Sequence, residues 1–285
     1  MTNRPSYRMT NSRHFKDLTR KSPLVITITM KKISLLLFSA VILLVVFYFS
    51  WLSPRHTVPI LMYHNIACGK GGSFVSPENF TRQMEYIKKK NYEVISLDEL
   101  VESIKNKKHL KKNKVVITFD DGYKDNFEYA YPVLKKFGFP AVIFLITDWI
   151  GNNKEILTWD KIIAMSKNGV SFGGHTKSHL YLGSVNDKKT AMEEIAGSKE
   201  TIEQKIGLTV DYFSYPIGGF NKIVEEAVIE AGYKGACTTN RGLKFNNIYA
   251  LKRIKVTNSD TTKPFSFWAK LSGYYNLFRS RKKSN

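Results

Sequence analysis

From Ile33 to Leu52 the chain reads ISLLLFSAVILLVVFYFSWL, 20 residues without a charged side chain. As a helix rising about 1.5 Å per residue, such a run covers about 30 Å, the depth of a bilayer's hydrocarbon core. A cleavable export signal has a shorter apolar stretch, about 7–15 residues, and closes on small residues. This run instead closes on Phe47, Tyr48, Phe49 and Trp51, bulky aromatics suited to a membrane interface. The expectation is an uncleaved transmembrane signal-anchor over residues 33–52. Eight basic side chains precede the span and Arg55 alone follows closely. That excess places the N-terminus in the cytoplasm and the remaining chain outside, as a single-pass protein of the cell membrane.

The span sets the expected organisation: a short basic cytoplasmic segment over 1–32, the anchor over 33–52, one soluble domain over 55–260, and a basic aromatic tail over 261–285. Within the first segment, Met30-Lys31-Lys32 reads as the natural opening of an export signal, so the true start could lie there.

Net charge is +20, from 44 Lys plus Arg against 24 Asp plus Glu, a balance that would suit a polyanion-binding protein. The first 32 residues carry eight basic side chains against Asp17, and residues 267–285 carry five against none, leaving +8 for everything between. The charge therefore flanks the span and fills the tail, and no nucleic-acid partner is expected. Cys68 and Cys237 are the only cysteines, too few for a disulfide framework or a Cys-based zinc site. They allow one optional bridge.

After Pro54, short β-branched or aromatic runs alternate with amphipathic segments, the signature of a βα-repeating domain. Strands are predicted at Val58–Tyr63, Val115–Phe119, Ala141–Ile146, Val170–Gly174, Val210–Tyr215, Tyr233–Thr238 and Leu251–Val256. Seven such strands suit a barrel better than a small open sheet. Ser76-Pro77-Glu78 reads as a helix start. Further helices are predicted at 126–137, 159–168, 187–206 and 221–231, each followed by a glycine (138, 169, 207, 232) placed for a left-handed cap. Lys105–Lys114 reads as a solvated helix-to-strand connection, and contact with an anionic wall polymer is the alternative.

In barrels of parallel strands, reactive side chains come from the carboxyl ends of the strands. Four predicted ends carry candidates: Tyr63-His64, Asp120-Asp121-Gly122, Gly174-His175 with His179 four residues on, and Tyr215-Pro216. Two histidines and one of two adjacent carboxylates could form a three-ligand metal site with open positions for water and substrate. Adjacent residues of an extended chain point to opposite sides, so the other Asp stays free to accept a proton.

These motifs resemble the polysaccharide deacetylases, also called the NodB-homology domain or carbohydrate esterase family 4, over about residues 57–258. Thr118-Phe119-Asp120-Asp121-Gly122 is similar to the family's first motif, which implies Asp120 as general base and Asp121 as metal ligand. His175-Thr176-Lys177-Ser178-His179 resembles the second, which implies His175 and His179 as the remaining ligands. Trp159-Asp160 resembles the groove-wall motif. Phe213-Ser214-Tyr215-Pro216-Ile217-Gly218-Gly219 stands in place of the third.

Two positions depart from the family pattern. The third motif usually begins with an Arg that orients the catalytic Asp, and here that position is Ser214. The late motif usually presents a His as general acid, and here Leu251-Lys252-Arg253 presents Arg253, whose guanidinium does not give up its proton. Together with Ile60-Leu61-Met62-Tyr63-His64 and the segment Phe74–Phe80, these departures resemble the branch that de-N-acetylates poly-β-1,6-N-acetylglucosamine. That resemblance implies an acid-bearing segment moved to the front of the domain, with His64 as the general acid.

The implied whole is a distorted (β/α)7-type barrel behind one transmembrane helix, an N-deacetylase acting on an extracellular N-acetylglucosamine polysaccharide and releasing acetate. The implied cofactor is a divalent metal. Mixed N and O ligands without a redox step favour Zn²⁺, although other divalent ions suit the same set. Trp159 and Tyr215 are candidates to stack on sugar faces, with wall packing the equal alternative for either ring, and a backbone N–H near Ile217 is a candidate to stabilise an oxyanion. Peptidoglycan and chitooligosaccharides are alternative substrates. A non-catalytic, membrane-anchored glycan-binding module is the alternative from a different class.

Overall fold

The computed structural model describes residues 23–48, 58–69, 71–108, 110, 113–240, 247–263, 265–272 and 275. The chain divides into two compact units, one ending at Ser53 and the other beginning at Pro54. In the first, helix α1 (Pro23–Phe47) runs for 25 residues, starting earlier than the predicted span and carrying Lys31 and Lys32 within it. Its side chains from Met30 onward are exposed. Among the described residues it is the one helix long and apolar enough to cross a membrane. Phe49, Trp51, Arg55 and the basic residues before Pro23, on which the expected orientation draws, lie outside the described residues.

The second unit is built from strands β1 (Ile60–Tyr63), β2 (Glu93–Val94), β3 (Lys114–Phe119), β4 (Ala141–Leu145), β5 (Val170–Gly174), β6 (Tyr212–Ser214), β7 (Gly235–Thr238), β8 (Leu251–Lys252) and β9 (Ile254–Lys255). Between and after them come helices α2 (Pro77–Lys89), α3 (Leu97–Lys105), α4 (Tyr131–Phe137), α5 (Trp159–Ser166), α6 (Lys188–Ile206), α7 (Lys222–Glu230), α8 (Ser259–Thr262) and α9 (Ser266–Leu271). The helix starts follow the capping chemistry of the sequence. The side chains of Ser76, Ser96, Asp187 and Asn221 each accept a backbone N–H of the first turn of α2, α3, α6 and α7. The four glycines predicted to end helices all have positive φ.

Every strand pairing is parallel, in the order β8-β7-β6-β5-β4-β3-β1-β9, with β2 beside β3. The ends of that order close the barrel. β8 pairs with β7 and β9 pairs with β1, yet only Arg253 separates β8 from β9. One extended segment thus leaves one edge of the sheet and joins the other, making a nearly closed barrel of seven staves. The predicted single strand Leu251–Val256 is this segment, interrupted where it changes partner.

Side-chain alternation sorts the staves into two cores. Leu61, Tyr63, Ile117, Phe119, Ile143, Leu145, Phe213 and Tyr215 pack with Phe80, Met84, Leu134, Ile162, Ile195 and Val224 of the surrounding helices. Ile60, Val116, Val142, Phe144, Tyr212, Cys237 and Leu251 form the second cluster, inside the barrel, with Leu97, Leu100 and Val101 of α3 among its members. The same inward parity, carried to the carboxyl ends of β1, β3, β5 and β6 and to the joint between β8 and β9, falls on His64, Asp120, His175, Ser214 and Arg253. Cys237 is buried and free in this inner core, and Cys68 is free and exposed, so the optional bridge is not formed.

Candidate active site

The register Tyr63↔Phe119 sets His64 beside Asp120 at adjacent strand ends, and the Asp120 N–H donates to the Tyr63 carbonyl at 3.0 Å. Asp121 would face outward by simple alternation, but its φ of 72° and that of Gly122, also 72°, end the strand in a left-handed turn. A Cβ at Gly122 would stand 2.7 Å from Leu145 Cδ2, so the third residue of Asp-Asp-Gly answers both to backbone and to space. The turn brings Asp121 Oδ1 within 3.4 Å of His175 Nε2 and 3.6 Å of His179 Nε2.

The histidine loop is braced from several sides. Thr176 Oγ1 donates to the His175 carbonyl at 2.6 Å and accepts the His179 N–H at 2.9 Å. Glu194 of α6 accepts the backbone N–H groups of Lys177 and Ser178 and the Ser178 hydroxyl. His175 Nδ1 lies 2.7 Å from the Ser214 carbonyl. A carbonyl only accepts, so Nδ1 carries the proton and Nε2 turns its lone pair toward Asp121. Four of the eight non-glycine residues with positive φ among the described residues belong here: Asp121, Thr176, His179 and Ile217. Two of them are β-branched, for which this conformation is a strained exception, and such strain collects at functional sites.

Ligand atoms of Asp121, His175 and His179 all lie within 4.8 Å of one another. Two ligands of a tetrahedral ion with bonds of about 2.0–2.1 Å sit about 3.3–3.4 Å apart, close to both carboxylate–imidazole separations. The set of one carboxylate and two imidazoles therefore fits a divalent cation.

Arg253 lies against Asp120. Its Nη1 and Nη2 donate to Oδ1 and Oδ2 at 2.7 and 2.6 Å, and the two side chains are 0% and 4% exposed. Nη2 also donates to Ser214 Oγ at 2.8 Å and Nη1 to Thr118 Oγ1 at 3.2 Å. Burial pushes the Asp120 carboxyl up, but the guanidinium's charge and hydrogen bonds outweigh it and hold the group well below the usual carboxylate range. Asp120 is therefore ionised at any working pH. Burial lowers His64, against the opposing pull of Asp120 and Asp121. Its Nδ1 is buried with no hydrogen-bond partner among the described residues, while its carbonyl accepts from Asn126 Nδ2 at 2.9 Å. Asn126 opens a π-turn (Asn126–Ala130) where an unbroken helix was predicted, a distortion common near functional sites.

The three proposed contact residues fare differently. Tyr215 is fully buried: it shares the outward parity of Phe213, stacks on Phe220 with centroids 4.3 Å apart, and donates its hydroxyl to the Tyr249 carbonyl. Of the two readings of Tyr215, sugar platform and wall packing, its burial fits the second. Trp159 is half-buried at the start of α5, packed on the helix-side core. Ile217 is 69% exposed on the turn after β6. Trp149 lies beside the ligand cluster, its ring 5.6 Å from the His179 ring, and the sequence reading did not single it out. Its short turn is tied to the histidine loop by Asp148 N–H donating to the Lys177 carbonyl. Tyr123, two residues past Asp121, was likewise missed. Burial and the neighbouring carboxylate push its phenol up to about 12, so it stays a neutral donor.

The polysaccharide deacetylase family profile matches residues 107–236, a stretch that includes the Asp-Asp pair, both histidines and Ser214 but neither His64 nor Arg253. The chain is 34% identical over 202 residues to YxkH of Bacillus subtilis (strain 168), which carries a provisional polysaccharide deacetylase name, covering 70% of this chain and 71% of that protein. It is 27% identical over 198 residues to the poly-β-1,6-N-acetyl-D-glucosamine N-deacetylase of Staphylococcus aureus (strain MRSA252), covering 65% and 68%. Among solved structures, the Streptococcus pyogenes deacetylase PplD in complex with acetate superposes with a TM-score of 0.70 at 26% identity, over 76% of this chain and 99% of that one. With this barrel, this Asp-His-His cluster and these relatives, the chain belongs to the polysaccharide deacetylase family, metal-dependent hydrolases of amide bonds.

Proposed function

We propose that the chain is a membrane-anchored N-deacetylase that hydrolyses the acetamide groups of an extracellular N-acetylglucosamine polysaccharide. The observation that carries this is an ionised, doubly clamped Asp120 next to a three-ligand cation set at the barrel mouth. Similarity to the Staphylococcus aureus enzyme favours a β-1,6-linked polymer, helix α1 supports anchoring, and the basic residues that precede the apolar run favour a catalytic domain outside.

Asp121, His175 and His179 would hold a divalent cation, Zn²⁺ by preference, which would supply polarisation of the acetyl carbonyl and a lowered pKa for water. Asp120 accepts the proton of the attacking water. Negative charge then develops on the acetyl oxygen, where the backbone N–H of Ile217 donates. His64 gives a proton to the departing nitrogen, and the products are acetate and a free amine on the sugar. Trp159 forms part of the groove wall.

The test is acetate release by the full-length chain in detergent micelles with Zn²⁺, from β-1,6-linked and β-1,4-linked N-acetylglucosamine oligomers and from peptidoglycan. Release from the first alone is expected. Release from peptidoglycan alone moves the enzyme to wall modification, and no metal-dependent release from any of them returns the chain to the glycan-binding reading.

A further inference from the structure

We propose that Thr239, with Thr238 and Tyr181, positions the turn that carries the Ile217 N–H, so that the oxyanion donor is aimed from the end of β7, which pairs with β8 at the seam where the barrel closes. The proposal rests on the reading of that N–H as the donor to the acetyl oxygen.

The turn after β6 holds an isoleucine in a conformation that it avoids when free. Ile217 is β-branched, has a φ of 59° and is 69% exposed. Such strain persists only where the surroundings over-determine it, and a side chain open to solvent supplies little packing of its own. Relaxation of φ to a negative value would turn the Pro216–Ile217 peptide, and with it the N–H, relative to the peptide that follows. The ring of Pro216 fixes its own φ and so restrains that peptide from the preceding side. The restraint on the following side comes from outside the turn.

Thr239 supplies it. Its Oγ1 donates to the Ile217 carbonyl at 2.8 Å, while the N–H of the same peptide unit, that of Gly218, donates to the Tyr215 carbonyl at 2.8 Å. The Ile217–Gly218 peptide is thus tied at both ends. The next one is tied as well, since Thr238 Oγ1 donates to the Gly218 carbonyl at 2.7 Å. The fit is close: Gly218 has a φ of 85°, and a Cβ there would run into Thr239 Oγ1 and stand 2.6 Å from the Thr239 nitrogen. From the histidine loop, Tyr181 lays its ring against Gly219, where a Cβ would run into the ring. Two successive carbonyls and one glycine face therefore hold the turn, and none of these contacts draws on the side chain of Ile217.

The experiment compares Thr239→Val, which deletes the donor while staying close in shape, with Thr239→Ser, which keeps it. In the full-length, zinc-loaded chain it measures kcat, KM, bound zinc, thermal unfolding and the affinity for a methylphosphonamide analogue of the acetamide, whose tetrahedral anionic group mimics the intermediate. Thr239→Val is expected to lower kcat about tenfold, a part of the roughly 10²–10³-fold that a whole oxyanion donor supplies. Affinity for the analogue should fall by the same factor, with KM and zinc content within about twofold. Thr239→Ser should stay within about twofold of wild type in every measure.

An unchanged kcat in Thr239→Val would overturn the proposal, as would a loss that Thr239→Ser shares or a loss of kcat at unchanged affinity for the analogue. If Thr239→Val does not fold, Thr239→Ala takes its place and is judged by the same criteria. A folded, zinc-loaded wild type that releases no acetate would remove the catalytic reading and this proposal with it. An active wild type whose rate is indifferent to Thr239→Val would remove only the role of Thr239.

Discussion

Two ion pairs among the described residues lie almost dry, and they are put together differently. Asp260 and Lys270 are 4% and 3% exposed, and Asp120 and Arg253 are 4% and 0% exposed. The donors to Asp260 come from its own neighbourhood: Thr257 through its N–H and hydroxyl, Ser266 and Lys270, all within ten residues. That pair staples α8 to α9. The contacts of Asp120 come from 94 and 133 residues away, at Ser214 and Arg253, and its chain neighbour Asp121 faces two imidazoles. A buried carboxylate with a cationic partner is thus not by itself a reacting group. What distinguishes Asp120 is the company it keeps and the spare acceptor capacity the clamp leaves.

The comparison can be broken at several points. Stripping metal with a chelator should take acetate release to the uncatalysed level and Zn²⁺ should restore it, whereas His175→Ala should not be restored; metal-independent activity would detach the cluster from the chemistry. Asp120→Asn should cost about 10³-fold in kcat while zinc and glycan binding persist. Retained turnover there would make the Asp120 pair as structural as the other one.

Lys270→Met should do the reverse. Leaving Asp260 charged without its cation should lower stability by about 3–5 kcal/mol in thermal or urea unfolding, with kcat within about twofold. The sign with pH follows from the carboxyl. Burial raises it, the hydrogen bonds and charge of Lys270 with those of Ser266 and Thr257 outweigh burial, and the folded group titrates below its ordinary value. The pair's contribution is therefore full above about pH 4 and fades as pH falls through that depressed value, so wild type and Lys270→Met should converge in acid. A gap that widened in acid would reject the pair as its source. The smallest effect is expected for Ser214→Ala, a loss of kcat under about tenfold at unchanged stability, since Arg253 keeps both of its bonds to Asp120.

The sequence made the site legible where its parts are local. Asp120 and Asp121 are neighbours, His175 and His179 lie one loop apart, and the alternation of β-branched runs with capped helices was enough to anticipate a seven-stave barrel. Contacts across the barrel were harder to foresee. Arg253 could be excluded as an acid from its chemistry, but nothing in Leu251-Lys252-Arg253 says that the strand changes partner there and turns the guanidinium inward. Tyr212, Phe213 and Tyr215 are all aromatic, so their alternation hides which of them face the helices, and the sequence left Tyr215 open between platform and wall, where its burial fits wall. Helix α3 and strand β2 were not assigned, being short elements beside the lysine-rich stretch. Trp149 sits on a brief turn whose nearness to His179 depends on pairing between two loops.

The seam also has a consequence in time. Synthesis runs from His64 through Asp121, His175 and His179 long before it reaches Arg253, which follows Ser214 by 39 residues. At about 5–20 residues per second, the ribosome holds for several seconds a chain that owns every candidate metal ligand but has neither a shut barrel nor the guanidinium that holds Asp120. On the proposed mechanism, activity waits for the last stave, and a product stalled or clipped before residue 253 owns the three candidate ligands without that contact to Asp120.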